Sequence, residues 1–358
     1  MSGPASARGR IEVQAYDRRT VGLGLLALAG CAAPAGPPVM INMAGVAPPA
    51  PVQAGDDGAA LETDADMSGR VTAPVRINGQ GPFDFVVDTG ANRTVITQEL
   101  AARLGLPDAG PADVHGVAGV EPSNTVAIDL LEVDAVATRA IRAPTLSRVR
   151  LGADGLLGVD VLRGRRVTVD FLNNAFRITP SRGPGAPAST VGVSAAAASR
   201  LRSGDSVSSR QVVVPARYRF GQLIIIGADV AGRPVTAFLD SGSQSTVGNE
   251  ALRKLVIGTE ELRAPRYLVP VLSATGQTAQ GELAVLPLLR IGGLDIMRLT
   301  TVFADLHVFD IWDLKAKPSL LIGADAMRQF NAITLDYGRR QVIFTLPTGS
   351  PRRRRPTI

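Results

Sequence analysis

The sequence Phe83-Asp-Phe-Val-Val-Asp-Thr-Gly90 recurs, altered, as Val235-Thr-Ala-Phe-Leu-Asp-Ser-Gly242. In both copies an apolar strand leads into Asp-(Thr/Ser)-Gly, and the two aspartates, Asp88 and Asp240, lie 152 residues apart. One such triplet is common by chance. Two triplets, each on a hydrophobic strand in a segment of similar length, predict two half-sites that together form a pair of carboxyl groups.

The repeat extends beyond the two triplets. A strand that ends at a glycine turn precedes each triplet, and a short helical pattern follows it, at 97–104 and at 249–256. Gly155-Leu-Leu-Gly-Val-Asp-Val-Leu162 corresponds to Leu320-Leu-Ile-Gly-Ala-Asp-Ala-Met327. These segments are short, β-branched and separated by Gly or Pro, which favours an all-β architecture with one or two short helices per repeat.

The length and charge of the chain limit the classes of function. The 358 residues allow two domains of ordinary size. The net charge of +6 comes mainly from the first 30 residues and from Arg352 to Arg355, so the central body is close to neutral. We therefore expect no basic face for nucleic acid. The terminal arginines could contact an acidic membrane or form a solvated terminus.

Composition also predicts the domain boundaries. Stretches rich in Ala, Gly, Ser and Pro separate the two repeats from each other and from the N-terminus. The predicted segments are a signal peptide at 1–30, a flexible tether at 31–70, a first lobe at 71–181, a linker at 182–211, a second lobe at 212–348 and a basic tail at 349–358.

The N-terminal segment predicts export and lipid attachment. Arg18 and Arg19 precede an apolar run that ends in Leu28-Ala-Gly-Cys31, a pattern of charged, apolar and small residues typical of a signal peptide. This ending resembles a bacterial lipobox, which implies cleavage before Cys31 and a lipid on its thiol. Ala32 resembles the residue that follows the cysteine in outer-membrane lipoproteins facing the periplasm. The alternative is an accidental apolar stretch, with translation starting at Met40 or Met43.

Two carboxyl groups that share a proton can hydrolyse a peptide bond without a metal or other cofactor. One group deprotonates water while the other protonates the carbonyl oxygen. We expect Gly90 and Gly242 to permit a bend and a close backbone approach, and Thr89 and Ser241 to hydrogen-bond across the interface. The two histidines, His115 and His307, lack a metal-ligand spacing and are predicted to be surface or turn residues.

These motifs resemble those of the pepsin and retropepsin superfamily of aspartic peptidases over residues 71–347. Asp88-Thr-Gly-Ala-Asn92 is similar to the retropepsin form, and the Leu-Leu-Gly and Leu-Ile-Gly elements are similar to those that brace the catalytic loop in that family. The resemblance implies two pseudo-symmetric lobes with closed barrels, a catalytic pair of Asp88 and Asp240, and interlocking hydroxyls from Thr89 and Ser241. It further implies a monomer that cleaves an extended peptide or protein.

Two glycine-containing turns follow the triplets at distances that suit flaps over the cleft. They are His115-Gly-Val-Ala-Gly119 and Ala274-Thr-Gly-Gln-Thr278, and the flap prediction concerns Gly116, Gly119 and Gly276. Ordinary hairpin turns remain the alternative.

The residues after the triplets differ between the halves. Ala91 has no hydroxyl to offer its carboxylate, whereas Ser243 has one, so we expect a mildly acidic pH optimum. Two other functions stay open at this point: a catalytically silent lipoprotein that binds peptides or cell-envelope material, and a chain whose halves pair with another molecule.

Overall fold

The computed structural model describes residues 9–11, 26–27, 51–52, 61–62, 70–173, 175–181, 211–219, 222–256 and 267–347. Cys31, the basic tail and nearly all of the predicted signal peptide, tether and linker lie outside these residues. In the part of the chain that is described, no helix combines the length and apolarity needed to cross a membrane.

The described residues form a mainly β fold with six short helices. The strands are β1 (Gly9–Ile11), β2 (Leu26–Ala27), β3 (Pro51–Val52), β4 (Leu61–Glu62), β5 (Thr72–Ile77), β6 (Gln80–Val87), β7 (Val95–Thr97), β8 (Asp108–His115), β9 (Val120–Val133), β10 (Val136–Leu146), β11 (Gly155–Leu157), β12 (Arg165–Asp170), β13 (Ala175–Pro180), β14 (Gln211–Arg219), β15 (Gln222–Ile225), β16 (Ala228–Val230), β17 (Arg233–Pro234), β18 (Thr236–Leu239), β19 (Val247–Gly248), β20 (Tyr267–Leu272), β21 (Thr278–Ile291), β22 (Leu294–Phe303), β23 (Ser319–Ile322), β24 (Ala332–Asp336) and β25 (Gln341–Thr345). The helices are α1 (Gln98–Arg103), α2 (Arg148–Leu151), α3 (Val159–Leu162), α4 (Glu250–Val256), α5 (His307–Ile311) and α6 (Ala324–Met327).

The first lobe is a closed six-stranded barrel. Its strands pair in the ring β5-β6-β11-β7-β10-β9, and β9 returns to β5. Aliphatic side chains such as Val75, Ile128 and Leu131 fill the interior and are fully buried. Closure of the ring removes exposed strand edges and holds the end of β6 in a fixed place.

The second lobe repeats this arrangement with one strand interrupted. The pairs β18–β23, β23–β19, β19–β22 and β22–β21 follow the order of the first lobe, and β21 continues to β16. A turn at Ile226 and Gly227, whose φ is +79°, divides the counterpart of β5 into β15 and β16. The prediction of two pseudo-symmetric all-β lobes is therefore confirmed.

A shared sheet joins the two lobes. Strand β12 of the first half pairs antiparallel with β24 of the second, and the outer strands β13, β25 and β14 extend this sheet on both sides. At its centre Thr168 lies opposite Thr334, and their hydroxyl oxygens are 2.9 Å apart. The main chain thus connects the lobes by hydrogen bonds as well as covalently.

The predicted helices at 97–104 and 249–256 are present as α1 and α4. Thr97 accepts a hydrogen bond from the Leu100 N–H at 3.2 Å, and Asn249 accepts one from the Leu252 N–H at 2.9 Å, so both helices begin at a capping side chain. The expected number of helices was too low, because each lobe has three in the described residues. The additional helices have four or five residues, too few to produce a helical period in the sequence.

Candidate active site

Asp88 and Asp240 stand directly after the central strands β6 and β18. The N–H of Asp88 donates to the Leu157 carbonyl at 3.0 Å, and the N–H of Asp240 donates to the Ile322 carbonyl at 2.9 Å. These acceptors belong to β11 and β23, the apolar segments that the sequence repeat singled out. Each aspartate is therefore held at a strand end by its own lobe.

The two carboxyl groups meet at the interface between the lobes. Oδ1 of Asp88 accepts hydrogen bonds from the N–H groups of Gly90 and Ala91 at 2.8 and 3.0 Å. Oδ1 of Asp240 accepts from Gly242 and Ser243 at 3.0 and 3.1 Å. Oδ2 of each aspartate is buried and has no hydrogen-bond partner among the described residues. Two carboxyls this close are favoured when they hold one proton between them, because two adjacent negative charges repel.

Burial raises the pKa of both carboxyls, and the charge of Asp240 raises that of Asp88 further. Asp88 is fully buried, and burial followed by the charge of Asp240 raises its pKa well above the ordinary value. Burial raises the pKa of Asp240 to about 6, although hydrogen bonds from Asp88 and the backbone oppose this rise. The second ionisation of such a pair is costly, so the pair retains one shared proton in mildly acidic solution.

Gly90 and Gly242 allow the carboxyls to approach this closely. A Cβ atom on Gly90 would lie 2.3 Å from Cγ of Asp240, and one on Gly242 would lie 2.3 Å from Cγ of Asp88. Each glycine thus packs against the aspartate of the opposite lobe. Neither has a positive φ, so the reason for glycine is this contact and not the bend expected from the sequence.

The hydroxyls of Thr89 and Ser241 cross the interface in both directions. Thr89 Oγ1 donates to the Leu239 carbonyl at 2.9 Å, and Ser241 Oγ donates to the Val87 carbonyl at 2.6 Å. Each hydroxyl oxygen also accepts the N–H of the other residue at 3.1 Å. Four hydrogen bonds therefore fix one triplet against the other.

A second pair of side chains braces the loops, and the sequence reasoning missed their partners. Asp160 Oδ1 accepts from the N–H and hydroxyl of Thr94 at 2.9 and 2.8 Å. Asp325 accepts the same two groups of Thr246 at 3.0 and 2.8 Å. A threonine six residues after each aspartate was the available signal. Each of these carboxylates thus holds the loop that follows the aspartate of its own lobe.

The structure corrects one expected hydrogen bond. Ser243 Oγ donates to the carbonyl of Ser245 at 2.8 Å, so its single proton is not directed at Asp240. The Ser243 backbone N–H contacts the carboxylate instead, as the Ala91 N–H does in the other lobe. The difference between Ala91 and Ser243 therefore gives no basis for a difference in pKa between the halves.

The two predicted flap turns contact each other. Gly116 lies against Ser273 and Thr275, and Gly119 lies against Gln277, whose Nε2 donates to the Val120 carbonyl at 2.8 Å. Gly276 has a φ of +86° and packs beside the guanidinium of Arg150. All three glycines thus lie in hairpin turns where the two lobes touch.

Each turn also inserts a small apolar side chain into the other lobe. Val117 of the first turn joins the buried cluster of the second lobe around Phe238 and Phe309. Ala274 of the second turn joins the cluster of the first lobe that contains Val86 and Ala91. This exchange places the turns beside the strands and loops that carry the aspartates.

The only two histidines of the chain meet at this contact, which the sequence did not predict. His115 Nδ1 and His307 Nε2 are 2.9 Å apart, and the rings are stacked with an angle of 14° between their planes. His115 is buried rather than on the surface. Burial, then the charge of His115, lowers the pKa of His307, and Asp310 opposes this.

Comparisons with known families agree with the geometry. The family model for gag-polyprotein aspartyl proteases matches residues 73–164, and a second model, described as aspartyl protease, matches residues 226–326. Each match contains one Asp-(Thr/Ser)-Gly triplet. Both lobes therefore carry an aspartyl protease family domain, in the duplicated arrangement of a retropepsin-like protein. No curated protein matches the chain significantly.

Proposed function

We propose that the protein is an aspartic endopeptidase that activates water between Asp88 and Asp240. The observation that carries this proposal is the meeting of two buried carboxyls, one from each lobe, each packed against the glycine of the opposite triplet. A non-catalytic binding protein gains nothing from this arrangement, because burying two like-charged groups costs free energy. The presence of this costly pair of carboxyls favours a role in acid–base chemistry.

The geometry supports a division of labour between the carboxyls. The ionised group accepts a proton from water, while the protonated group donates its proton to the carbonyl oxygen of the peptide bond. Backbone N–H groups hold both Oδ1 atoms, which leaves the buried Oδ2 atoms available to water and substrate once the site opens. A pKa near 6 at Asp240 places one proton on the pair in mildly acidic solution. We therefore expect the activity to peak there.

The substrate we propose is an extended segment of a peptide or protein. Both aspartates are buried, and the turns at 116–119 and 273–277 touch each other. Entry of a substrate therefore requires these turns to separate. An extended chain could then pair with exposed main-chain groups, while side-chain pockets select its sequence.

Separate Asp88→Asn and Asp240→Asn substitutions test this function. Asparagine preserves the shape of the side chain and can keep the backbone hydrogen bonds, but it cannot take part in sharing a proton. Each variant should fold and lose at least about a thousandfold in kcat/KM on casein-derived peptides. Exposed Asp129→Asn, on the outer surface of β9, is the matched control and should retain activity.

The competing function predicts a different result in the same assay. A catalytically silent binding lipoprotein would show no cleavage above background in the natural protein, and the two asparagine variants would bind peptides as it does. Cleavage that survives both substitutions would point to a contaminating protease and would also contradict the proposal.

We also propose that the protein is exported and anchored by a lipid on Cys31 to the cell envelope, on the periplasmic face of the outer membrane. The signal-like segment and the lipobox-like sequence support this location. Cys31→Ser should move the protein from the membrane fraction to the soluble fraction and abolish incorporation of labelled fatty acid. Unchanged membrane association in that variant would exclude the anchor.

A further inference from the structure

The residue that faces each aspartate across the neighbouring strand differs between the lobes. In the first lobe Thr72 pairs with Val86, and the Val87 N–H bonds to the Val71 carbonyl, so the register continues to Arg70 opposite Asp88. In the second lobe Ile224 pairs with Phe238, and the same register places Gln222 opposite Asp240. Side chains directly opposite on paired strands lie on the same face, with Cβ atoms about 5 Å apart.

The two side chains are equally buried but chemically unequal. Arg70 and Gln222 are 1% and 2% exposed. Gln222 Nε2 donates to the Gly90 carbonyl at 2.9 Å, a neutral contact across the interface to the loop of the first aspartate. Arg70 Nη2 donates to the Leu151 carbonyl in the first lobe. A permanent cation thus stands on one side of the carboxyl pair and a neutral amide on the other.

The charge of Arg70 acts on both members of the pair. Its electrostatic attraction opposes the rise in the pKa of both aspartates, a rise that burial produces at each and that the charge of Asp240 adds to at Asp88. Because Arg70 is buried, solvent screens this attraction less than it would at the surface. The cation therefore favours the form of the pair that carries a negative charge.

The other titratable groups near the pair, in the part of the chain that the structure describes, do not provide a cation. The pKa of buried Tyr337, which follows β24, is raised well above its ordinary value by burial and by the charges of Tyr218 and Asp88, so this phenol stays neutral. Asp160 and Asp325 are directed at Thr94 and Thr246.

We propose that Arg70 is a positioning residue whose charge keeps one carboxyl of the pair ionised as the solution becomes more acidic. Gln222, at the matching place, fixes the loop at Gly90 without altering the charge of the pair. This inference rests on the proposed function for its consequence in catalysis. The electrostatic effect itself can be measured without turnover.

The test compares the pH dependence of kcat/KM in the natural protein and in Arg70→Gln, Arg70→Lys and Arg76→Gln. Arg70→Gln copies the residue of the other lobe and should move both limbs of the profile to higher pH by about one unit, because an opposite charge nearby lowers a carboxyl pKa by about that much or more. Arg70→Lys keeps the cation and should largely restore the profile. Exposed Arg76, on the same strand, should have no effect on it.

Carbon-13 NMR titration of the Asp88 and Asp240 carboxyls provides the second measurement. It should show the same displacement in Arg70→Gln even if no substrate is cleaved, so failure of the proposed function and failure of this inference are distinguishable. Arg70→Gln could instead lower the activity while the pH profile and the carboxyl titration stay where they are. That result would assign Arg70 a purely structural role and overturn the inference. If Arg70→Gln does not fold, Gln222→Lys replaces it in the test. This variant adds a cation beside the pair and must shift the carboxyl titration to lower pH. An unshifted titration would refute the inference.

Discussion

The hydroxyls of Thr89 and Ser241 hold the loops that carry Asp88 and Asp240 against each other. Each donates to a carbonyl of the opposite lobe and accepts an N–H from it, so four buried polar groups depend on two side chains. The carboxyls repel each other when both ionise, and this network keeps them in contact.

Thr89→Val removes the hydroxyl while nearly preserving the shape of the side chain. It leaves the Leu239 carbonyl and the Ser241 N–H without their partner in a buried site, so the free energy of unfolding should fall by about 2–4 kcal/mol. Thr89→Ser retains both bonds and should cost about 1 kcal/mol or less. Equal denaturant midpoints for the two variants would show that the network contributes little.

The carboxyl pair should also make stability depend on pH. The pKa of Asp240 is raised to about 6 from 3.8, so the folded state binds a proton more tightly than the unfolded chain between these values. Stability from this group is complete below about pH 4 and is lost as the pH rises through 6. Asp240→Asn avoids the loss and should be more stable than the natural protein at pH 7, by on the order of 2 kcal/mol.

Urea unfolding at several pH values measures this difference. The advantage of Asp240→Asn should shrink below pH 5, whereas the exposed control Asp129→Asn should follow the natural protein throughout. An advantage of Asp240→Asn that does not change with pH would mean that its cause is packing and not ionisation.

At the level of residues, the sequence singled out the two aspartates and the two hydroxyls, but it did not predict every contact around them. Asp88, Asp240, Thr89 and Ser241 stand out because the motif repeats. The prediction that the Ser243 hydroxyl bonds to Asp240 was wrong, because this hydroxyl donates to the Ser245 carbonyl instead. Local rotamer choices of this kind leave no trace in spacing or residue type.

At the level of elements, the two hairpin turns act as a closed contact between the lobes. The strand pairs β8–β9 and β20–β21 carry these turns. The side chains of Val117 and Ala274 each pack in a buried cluster of the opposite lobe. The sequence predicted both hairpins from their glycines. It did not predict that the turns touch, because the two turns, unlike the Asp-(Thr/Ser)-Gly triplets, share no repeated motif that marks them as partners.

The histidine pair should make this contact sensitive to pH. Burial lowers the pKa of His307, so the folded state favours its neutral ring and the contact loses stability as the pH falls through the range in which this histidine gains a proton. Protonation places a charge on a partly buried ring, and Nε2, 2.9 Å from Nδ1 of His115, can then only donate. The turns should therefore open several times more often at pH 5 than at pH 7.

Hydrogen exchange at the Val308 N–H, corrected for its intrinsic pH dependence, reports this opening, because that group donates to the Val117 carbonyl at 3.3 Å. His307→Gln keeps a hydrogen-bonding side chain but cannot titrate, so its exchange should show little dependence on pH. The same acid-induced opening in His307→Gln would exclude the histidines as its cause.

At the level of the whole molecule, the sheet formed by β12 and β24 makes the two lobes one folding unit. Five paired positions, with Thr168 opposite Thr334 at the centre, bind the halves through their main chains. We expect a monomer by light scattering whose activity per molecule does not change on serial dilution. A specific activity that rises with protein concentration would instead favour two chains sharing one site.

Covalent fusion of the halves has a consequence for the ligand. An enzyme assembled from two identical chains must carry any substitution twice, so its groove is the same when read from either end. Here Arg70 and Gln222 differ while the scaffold around them repeats. The two sides of the carboxyl pair are therefore chemically different, and under the proposed function a polypeptide would be recognised in one N-to-C direction in preference to the reverse.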